Sequence, residues 1–552
     1  MTAAPADTDV LLRVRGTVQG VGFRPFVHRT AAGLGLRGWV LNDAEGVLVR
    51  AAGDPARVTA LVEALRRDPP PAAAVASVDR LAPGADLPPA GPGFTIGASR
   101  PGGEIVTATP ADLAACADCL RELLDPADRR YRYPFINCTQ CGPRYSIIEQ
   151  LPYDRPQTTM RCFRMCPACA REYADPASRR FHAEPNACPD CGPHLTLCNP
   201  AGTAIGEREA ALNHTGTLLR EGLIIAVKGV GGYHLLCDAT NETAVATLRR
   251  RKHRDQKPLA VMFRDLAHLD KFAEVSPAAA ALLTSPAAPI VLVPRRPDAA
   301  LAPAVAPGNP WVGALLPNAP LHHLLLAALD FPVIATSANL ASEPICTNNA
   351  EARRRLAGVA DMFLEHDRPI AHPVEDSVVR FAAGDAPILL RRARGYAPAP
   401  FTLPGHLPGV VLCVGGQMKN TIAVAAGDHV VLSPHLGDLD DVLTHHTFER
   451  TIATLGRLYG AEFTAVAHDK HPAYQSTLYA DRLGLRRIAV QHHLAHVLAC
   501  LLEHHHPADG VLGIAWDGTG YGEDGTVWGG EFILLQQNRA ERFARLRPFR
   551  LA

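Results

Sequence analysis

Eight of the 14 cysteines in this 552-residue chain fall into four CxxC pairs: Cys116/Cys119, Cys138/Cys141, Cys166/Cys169 and Cys188/Cys191. The gaps between pairs are 18, 24 and 18 residues, a palindromic spacing that marks a duplicated unit. The second and fourth pairs both continue as Cys-Gly-Pro (Cys141-Gly142-Pro143 and Cys191-Gly192-Pro193), which supports the repeat. Zinc takes four thiolates in a tetrahedron and each CxxC turn supplies two, so the eight cysteines imply two structural zinc ions. Redox pairs and disulfides are the competing readings, and four evenly placed pairs argue against both. The spacing leaves the pairing open. Neighbouring pairs fit a zinc ribbon, and interleaved pairing is the alternative.

A chain of this length holds three or four domains. Its composition, 47% hydrophobic and 20% charged, is that of a folded water-soluble protein. With 55 basic and 55 acidic residues the formal net charge is zero, which argues against nucleic-acid binding through a strong overall positive field and leaves a local basic groove open. The start, MTAAPADTDV, has neither a charged nor an apolar leader region, so no signal peptide is expected. The best apolar stretch, Leu321 to Leu340, is broken by Asp330 and Pro332, and no membrane span is expected. Scattered remaining cysteines point to a reducing cytoplasm.

Three breaks divide the chain: residues 83–93 (PGADLPPAGPG), residues 199–207 after the last CxxC, and the Pro-rich residues 397–409. They give pieces of about 1–100, 101–200, 205–396 and 400–552. In the first, strands are expected over Val10 to Arg15, Leu36 to Leu41, Val47 to Ala51 and Ala76 to Leu81. Helices are expected over Pro25 to Gly33 and Val58 to Arg67, with a short last strand at Phe94 to Gly97. That is the βαββαβ order of a ferredoxin-like fold.

Between the first strand and helix lies Gly16-Thr17-Val18-Gln19-Gly20-Val21-Gly22-Phe23-Arg24-Pro25. Glycines let the backbone bend until amide N–H groups converge beside a helix N-terminus, which makes an anion cradle. Arg24 can clamp a phosphoryl group, and Asn42 can hold an attacking water. VQGVGFRPFV followed by GWVLN resembles the acylphosphatase signature across the whole first piece. The resemblance implies that Arg24 binds the phosphate of an acyl phosphate and Asn42 orients the water.

The third piece has an apolar strand, Ile224 to Lys228, leading to Gly229-Val230-Gly231-Gly232-Tyr233-His234. A helix over Asn241 to Arg250 follows, then a basic run with Lys252, Arg254 and Lys257. A solvated face explains a basic run as well as a polyphosphate site does; the neighbouring glycine turn favours the latter. Thr336-Ser337-Ala338-Asn339 is expected just after the buried strand Phe331 to Ala335. KGVGGYHLLCDA, LRRRKHRDQKPLAVM and TSAN together resemble the YrdC family, which makes acyl adenylates from ATP. The resemblance places Lys252, Arg254 and Lys257 near the triphosphate or acyl group, Ser337 and Asn339 near the nucleotide, Lys228 among the cofactor-binding residues, and Arg391 to Gly395 across the mouth. The sequence departs from that family at Pro373, Glu375 and Asn318-Ala319.

In the fourth piece His492 and His496 stand one helical turn apart, where both can reach one metal ion. Asp517, in Trp516-Asp517-Gly518-Thr519-Gly520-Tyr521-Gly522, can complete the site, and a glycine turn at Gly518 and Gly520 can accept phosphate. His504 to His506 read as a solvated helix end. With Gly415 to Thr421 and Ser433 to Leu439 these motifs resemble the TsaD-like branch of the actin-like ATPases. A complete domain of that kind has a second lobe with further glycine loops and another acidic metal ligand. The expectation is therefore a partial domain, in a chain short of its C-terminal part.

The order of parts gives a multidomain α/β and α+β protein: a ferredoxin-like acylphosphatase domain, a double zinc module with four cysteines per ion, a YrdC-like α/β domain and a partial TsaD-like actin-fold ATPase domain. That order resembles the HypF carbamoyltransferase family of [NiFe]-hydrogenase maturation. The resemblance implies carbamoyl phosphate and ATP (with magnesium) as substrates and carbamoyl adenylate as intermediate. It implies as acceptor the C-terminal cysteine of the partner protein HypE, and no nucleic-acid partner. The zinc module would be a rigid spacer. Two other readings remain: a transfer-RNA threonylcarbamoylation protein, since YrdC-like and TsaD-like parts occur there, and an inactive scaffold.

Overall fold

The computed structural model describes residues 7–43, 45–82, 87–100, 109–340, 343–382, 385–537 and 539–547. Part of the break at 83–93 and the first six residues lie outside them. The chain divides into two compact units, residues 1–341 with 345–398, and residues 342–344 with 399–552.

Alternating apolar residues build the first sheet. It consists of β1 (Thr8–Thr17), β2 (Arg37–Asp43), β3 (Gly46–Gly53), β4 (Ala74–Leu81) and β5 (Phe94–Ile96) in the order β4-β1-β3-β2-β5. All pairs are antiparallel except β2 with β5. Val10, Leu12 and Val14 of β1 face the helices Phe23–Gly33 and Pro55–Arg67 and share a core with Val40, Val49, Leu61 and Leu65. The second helix begins where Asp54 accepts from the backbone N–H of Ala56 (2.9 Å) and Arg57 (3.2 Å), with Pro55 at its first position. Gly16 has φ +117°, and a Cβ there would lie 2.1 Å from the Ala74 carbonyl oxygen, so only glycine lets β1 leave the sheet for the anion loop.

The cysteine-rich module is a repeat with a 50-residue offset. Its halves carry matching helices, Ala117–Leu124 and Pro167–Ala174, and matching residues in left-handed backbone, Arg132 (φ 55°) and His182 (φ 54°). The halves hold each other by exchange. Arg129 and Arg130 of the first donate to Glu172 of the second at 2.6 and 2.5 Å, and Arg179 and Arg180 of the second donate to Glu122 of the first.

Residues 199–207, expected to be a break, instead form a hairpin. Leu195–Cys198 and Ala204–Glu207 pair with each other, and the first also pairs with Met362–His366 at one end of an eleven-stranded mixed sheet. The alternation of Leu195 and Leu197 explains this, since both are buried. Ile225–Lys228, Tyr233–Asp238 and Val333–Ser337 run through the sheet's interior. One of its faces shares a core with the cysteine module, in which Cys119, Cys138, Phe135 and Ile147 pack with Leu197, Val227, Leu236 and Leu364.

In the second unit a four-stranded sheet has the order Ala423–Leu432, Pro400–Cys413, Phe463–Asp469, Arg486–Val490. The Pro-rich joint expected at 397–409 is thus largely strand. Its register shifts between Thr402 and Leu407 and again before Val411, around Pro404 and Pro408, which have no N–H to donate to a ladder. The helix His492–Glu503 packs on a three-stranded antiparallel sheet through Val497, Ala515, Ile533 and Leu535.

Leu61 is wholly buried between helix and sheet. Leu61→Ala should destabilise the first domain by about 2–5 kcal/mol, read as a lower urea midpoint for that domain's unfolding.

Candidate active sites and metal centres

The anion loop is bent at Gly20 (φ 66°) and Gly22 (φ 77°) and tied to the β2–β3 turn by the Gln19 side-chain N–H, which donates to the Asp43 and Gly46 carbonyls at 2.7 and 2.9 Å. Arg24, the second residue of the helix, is 7% exposed. Its Nη2 donates to Asp154 (3.0 Å) and Glu184 (3.3 Å), both from the cysteine module, and its Nη1 to Ser99 Oγ (3.3 Å). Asn42, near the end of β2, is fully buried, yet neither its Oδ1 nor its Nδ2 has a hydrogen-bond partner among the described residues. Its carbonyl accepts from the Arg100 N–H at 2.9 Å, so the consecutive residues Ser99 and Arg100 tie Arg24 and Asn42 to one segment. A buried amide with free donors and acceptor is poised for water or a ligand.

The cysteines gather as neighbouring pairs: Cys116, Cys119, Cys138 and Cys141 form one group and Cys166, Cys169, Cys188 and Cys191 the other. Sulfur–sulfur distances are 3.6–3.8 Å in both. A tetrahedron with Zn–S bonds of about 2.3 Å has edges of about 3.8 Å, so both clusters fit zinc. Arginines of the opposite half face the sulfurs: Arg129 and Arg130 donate to Cys169 (3.2 and 3.6 Å), and Arg179 donates to Cys119 (3.3 Å) and Cys116 (3.6 Å). These cations offset the excess negative charge of a four-thiolate site.

In the large sheet, Lys252 Nζ donates to the carbonyls of Ser337 and Asn339 (2.9 Å to the latter) and to Asn339 Oδ1 (2.6 Å), and Ser337 Oγ donates to the same amide oxygen at 3.0 Å. Three of the expected adenylate residues therefore meet. Burial first, then the charge of Arg254, brings the Lys252 ammonium down to about 7, with a smaller push from Lys257. Arg254, itself lowered to about 10 by burial and by Arg249, donates to the Pro258 carbonyl at 2.8 Å. Thr336 and Ser337 occupy the last two positions of Val333–Ser337 rather than the turn after it. Lys228 belongs to a different group: its Nζ donates to Asn349 Oδ1 (2.7 Å) and the His366 carbonyl (3.0 Å). Arg394 is drawn inward, with Nε 2.7 Å from Asp376 Oδ1, whose other oxygen lies 3.0 Å from His234 Nε2.

His492, His496 and Asp517 converge as expected, with His492 Nε2 at 3.1 Å and His496 Nε2 at 3.6 Å from Asp517 Oδ2. That oxygen is buried and faces both imidazole nitrogens, an arrangement that suits a shared metal ligand set. Asp469, unmarked by any motif, accepts from His492 Nδ1 at 2.6 Å and so turns Nε2 toward Asp517. Gly518 and Gly520 do not form a turn. They lie within the strand Val511–Tyr521, at a register shift between Trp516 and Gly520. A Cβ on Gly520 would meet the His493 ring at 2.5 Å, so that glycine is needed for strand and helix to approach.

The four sites define a multidomain group-transfer enzyme, with an acylphosphatase fold early in the chain and a candidate His/His/Asp metal-ligand group late in it. The sequence matches the families described as Acylphosphatase over 10–90, HypF finger over 115–148 and 165–198, and Telomere recombination (the Sua5/YciO/YrdC family) over 217–393. It matches the HypF Kae1-like domain over 407–503 and the second subdomain of the carbamoyltransferase Kae1-like domain over 513–552. Carbamoyltransferase HypF of a Synechocystis species is 51% identical over 98% of this chain and 70% of its own length. HypF of Rhodobacter capsulatus is 48% identical over 97% of this chain and 72% of its own. A crystal structure of full-length HypF in the phosphate- and nucleotide-bound form superposes with TM-score 0.93 at 42% identity, over 99% of this chain and 71% of that one. The chain belongs to the carbamoyltransferase HypF family.

Cys188→Ser should lower bound zinc from about two to one per chain and destabilise the module, read by metal analysis and thermal unfolding. With the cysteine sites filled, Asp469→Asn should weaken cobalt(II) binding at His492/His496 by about 10–100-fold in a spectroscopic titration, and His492→Ala should abolish it.

Proposed function

We propose that this carbamoyltransferase works in three steps. Carbamoyl phosphate and water give carbamate and phosphate at the anion loop. Carbamate and ATP give carbamoyl adenylate and pyrophosphate in the YrdC-like domain. The carbamoyl group then passes to the sulfur of a C-terminal cysteine of HypE, releasing AMP and the thiol proton. The amide of Asn42 carries the first step. Buried and unbonded beside the segment that holds Arg24, it suits a residue that must grip a water molecule. Arg24 supplies a permanent charge for the phosphoryl oxygens and stabilises the charge that builds on them.

Lys252, Arg254 and Lys257 supply the cationic group for the triphosphate, and Asn339 and Ser337 stand beside it. Lys252 spends its three donors on neutral oxygens, so an incoming polyphosphate oxygen would replace a neutral acceptor with a charged one. Magnesium bound with ATP would neutralise part of that charge. In the second unit a metal held by His492, His496 and Asp517 would act as a Lewis acid toward nucleotide phosphate, with Asp469 fixing the ring of His492.

No helix among the described residues is long and apolar enough to cross a membrane. None of the 14 cysteines is joined in a disulfide, which suits the reducing cytoplasm where we place the protein.

The purified chain should catalyse ATP–pyrophosphate exchange that depends on carbamoyl phosphate. Arg24→Ala should abolish it and cut phosphate release from carbamoyl phosphate by about 10²–10³-fold, and Asn42→Ala by about 10²-fold mainly in kcat. Exchange that persists at full rate in Arg24→Ala would overturn the serial scheme.

A further inference from the structure

The cysteine module does more than flank the anion loop; it closes over it. A Cβ on Gly20 would meet Pro110 and Tyr153 at 2.9 Å, and one on Gly22 would meet Gln140 Nε2 at 2.6 Å. Arg144, 1% exposed, donates its Nε to the Gly20 carbonyl. The two carboxylates on Arg24 come from the same side. Asp154 lies between the two finger segments and Glu184 inside the second, both outside the residues that match the acylphosphatase family.

Their geometry conflicts with simple anion binding. A guanidinium Nη2 carries two protons, and here one acceptor is Asp154 Oδ1 and the other Glu184 Oε1. A phosphoryl group clamped by this nitrogen must displace at least one of them. With both acids ionised, the Arg24 group also carries a net charge of −1 and repels a dianion. Protonating one acid removes that repulsion.

We propose that Asp154 and Glu184 are positioning residues of the anion site, carboxylates that hold the Arg24 guanidinium and compete with a phosphoryl dianion for it, so that the anion enters together with a proton. The proposal rests on Arg24 being the phosphate ligand.

Glu184 is the acid that takes the proton. It is 2% exposed, and burial first, then Asp154, raises its carboxyl to about 7, against the pull of Arg24, of the Tyr173 hydroxyl (2.8 Å) and of the Arg155 backbone N–H (2.9 Å). The other titratable groups facing this site stay fixed near neutrality. Burial lowers His182 to about 4 and also lowers His28, so both rings are neutral, and burial pushes Tyr173 up. Burial also lowers Arg155, but from so high a starting value that it stays charged. Since Glu184 is neutral below about pH 7 and ionised above it, a dianion should bind progressively more weakly as pH rises through 7.

Sulfate is the probe, because it keeps its charge from pH 6 to 8. Calorimetric titration of the zinc-loaded full chain, in buffers of different ionisation enthalpy, should show affinity falling about tenfold from pH 6 to pH 8. Proton uptake should approach one per sulfate at pH 8. Glu184→Gln should bind sulfate with its zinc content intact and lose both the slope and the uptake. Asp154→Asn should bind sulfate more tightly and move the midpoint of the slope to lower pH, which keeps the test decisive if Glu184→Gln fails to fold. Sulfate binding that disappears in Arg24→Ala but is flat with pH and takes up no proton would overturn the proposal and leave the acylphosphatase reading intact. Binding indifferent to Arg24→Ala would instead fail that reading.

Discussion

The reciprocal exchange of arginines between the two halves of the cysteine module is the interaction on which the first unit depends. Each half offers one four-thiolate cluster and one short helix. Arg129 and Arg130 cross to Glu172 and Cys169, and Arg179 and Arg180 cross to Glu122 and Cys119. Burial alone would raise the Glu172 carboxyl, but Arg130 and Arg129 hold it down at about 2, so the exchange persists at any ordinary pH. The cysteines then enter the same core as Val227 and Leu236 of the large sheet, the strands that flank the glycine turn at 229–232. A metal-held module is thus continuous with the nucleotide-domain sheet on one side and covers the anion loop on the other.

Electrostatics separates the two chemistries within that unit. Arg24 is neutralised by acids from another module, which suits a site that must bind a small anion and release its products. Burial first, then Arg254 and to a smaller extent Lys257, lowers the Lys252 ammonium, with Glu375 as the acid that opposes them. Only a more highly charged ligand restores full protonation there, and a triphosphate is such a ligand. In the proposed scheme carbamate links the two sites and is short-lived, so a covered first site has a kinetic advantage over one open to bulk water.

Much of this was legible in the sequence because it is local. Period-two apolar residues located the strands of the first domain, and the helix expected from Asn241 starts at that capping side chain, whereas the helix expected from Val58 begins at Pro55 after the cap Asp54. The CxxC pairs announced two clusters, but which pairs share an ion depends on the tertiary path, and the sulfur distances settle it. Local reading failed where a tertiary contact reassigns a residue. Gly520 reads as a turn glycine and serves as a gap for the His493 ring. The hairpin at 195–207 was hidden because four-residue strands carry too little pattern to outweigh Asn199-Pro200 and two glycines.

The residues that reading missed share one property. Asp154 and Glu184 at Arg24, Asp376 between His234 and Arg394, and Asp469 behind His492 are all acids that touch the working side chain rather than work themselves. Motifs preserve the groups that meet substrate at fixed spacing along the chain. An acid that orients such a group needs only to arrive from somewhere in space, and three of these sites draw theirs from at least 18 residues away. Orientation in this chain is therefore encoded in packing between elements. A substitution far from any motif, in the strand that ends at Asp469, can disturb the chemistry as much as one inside it.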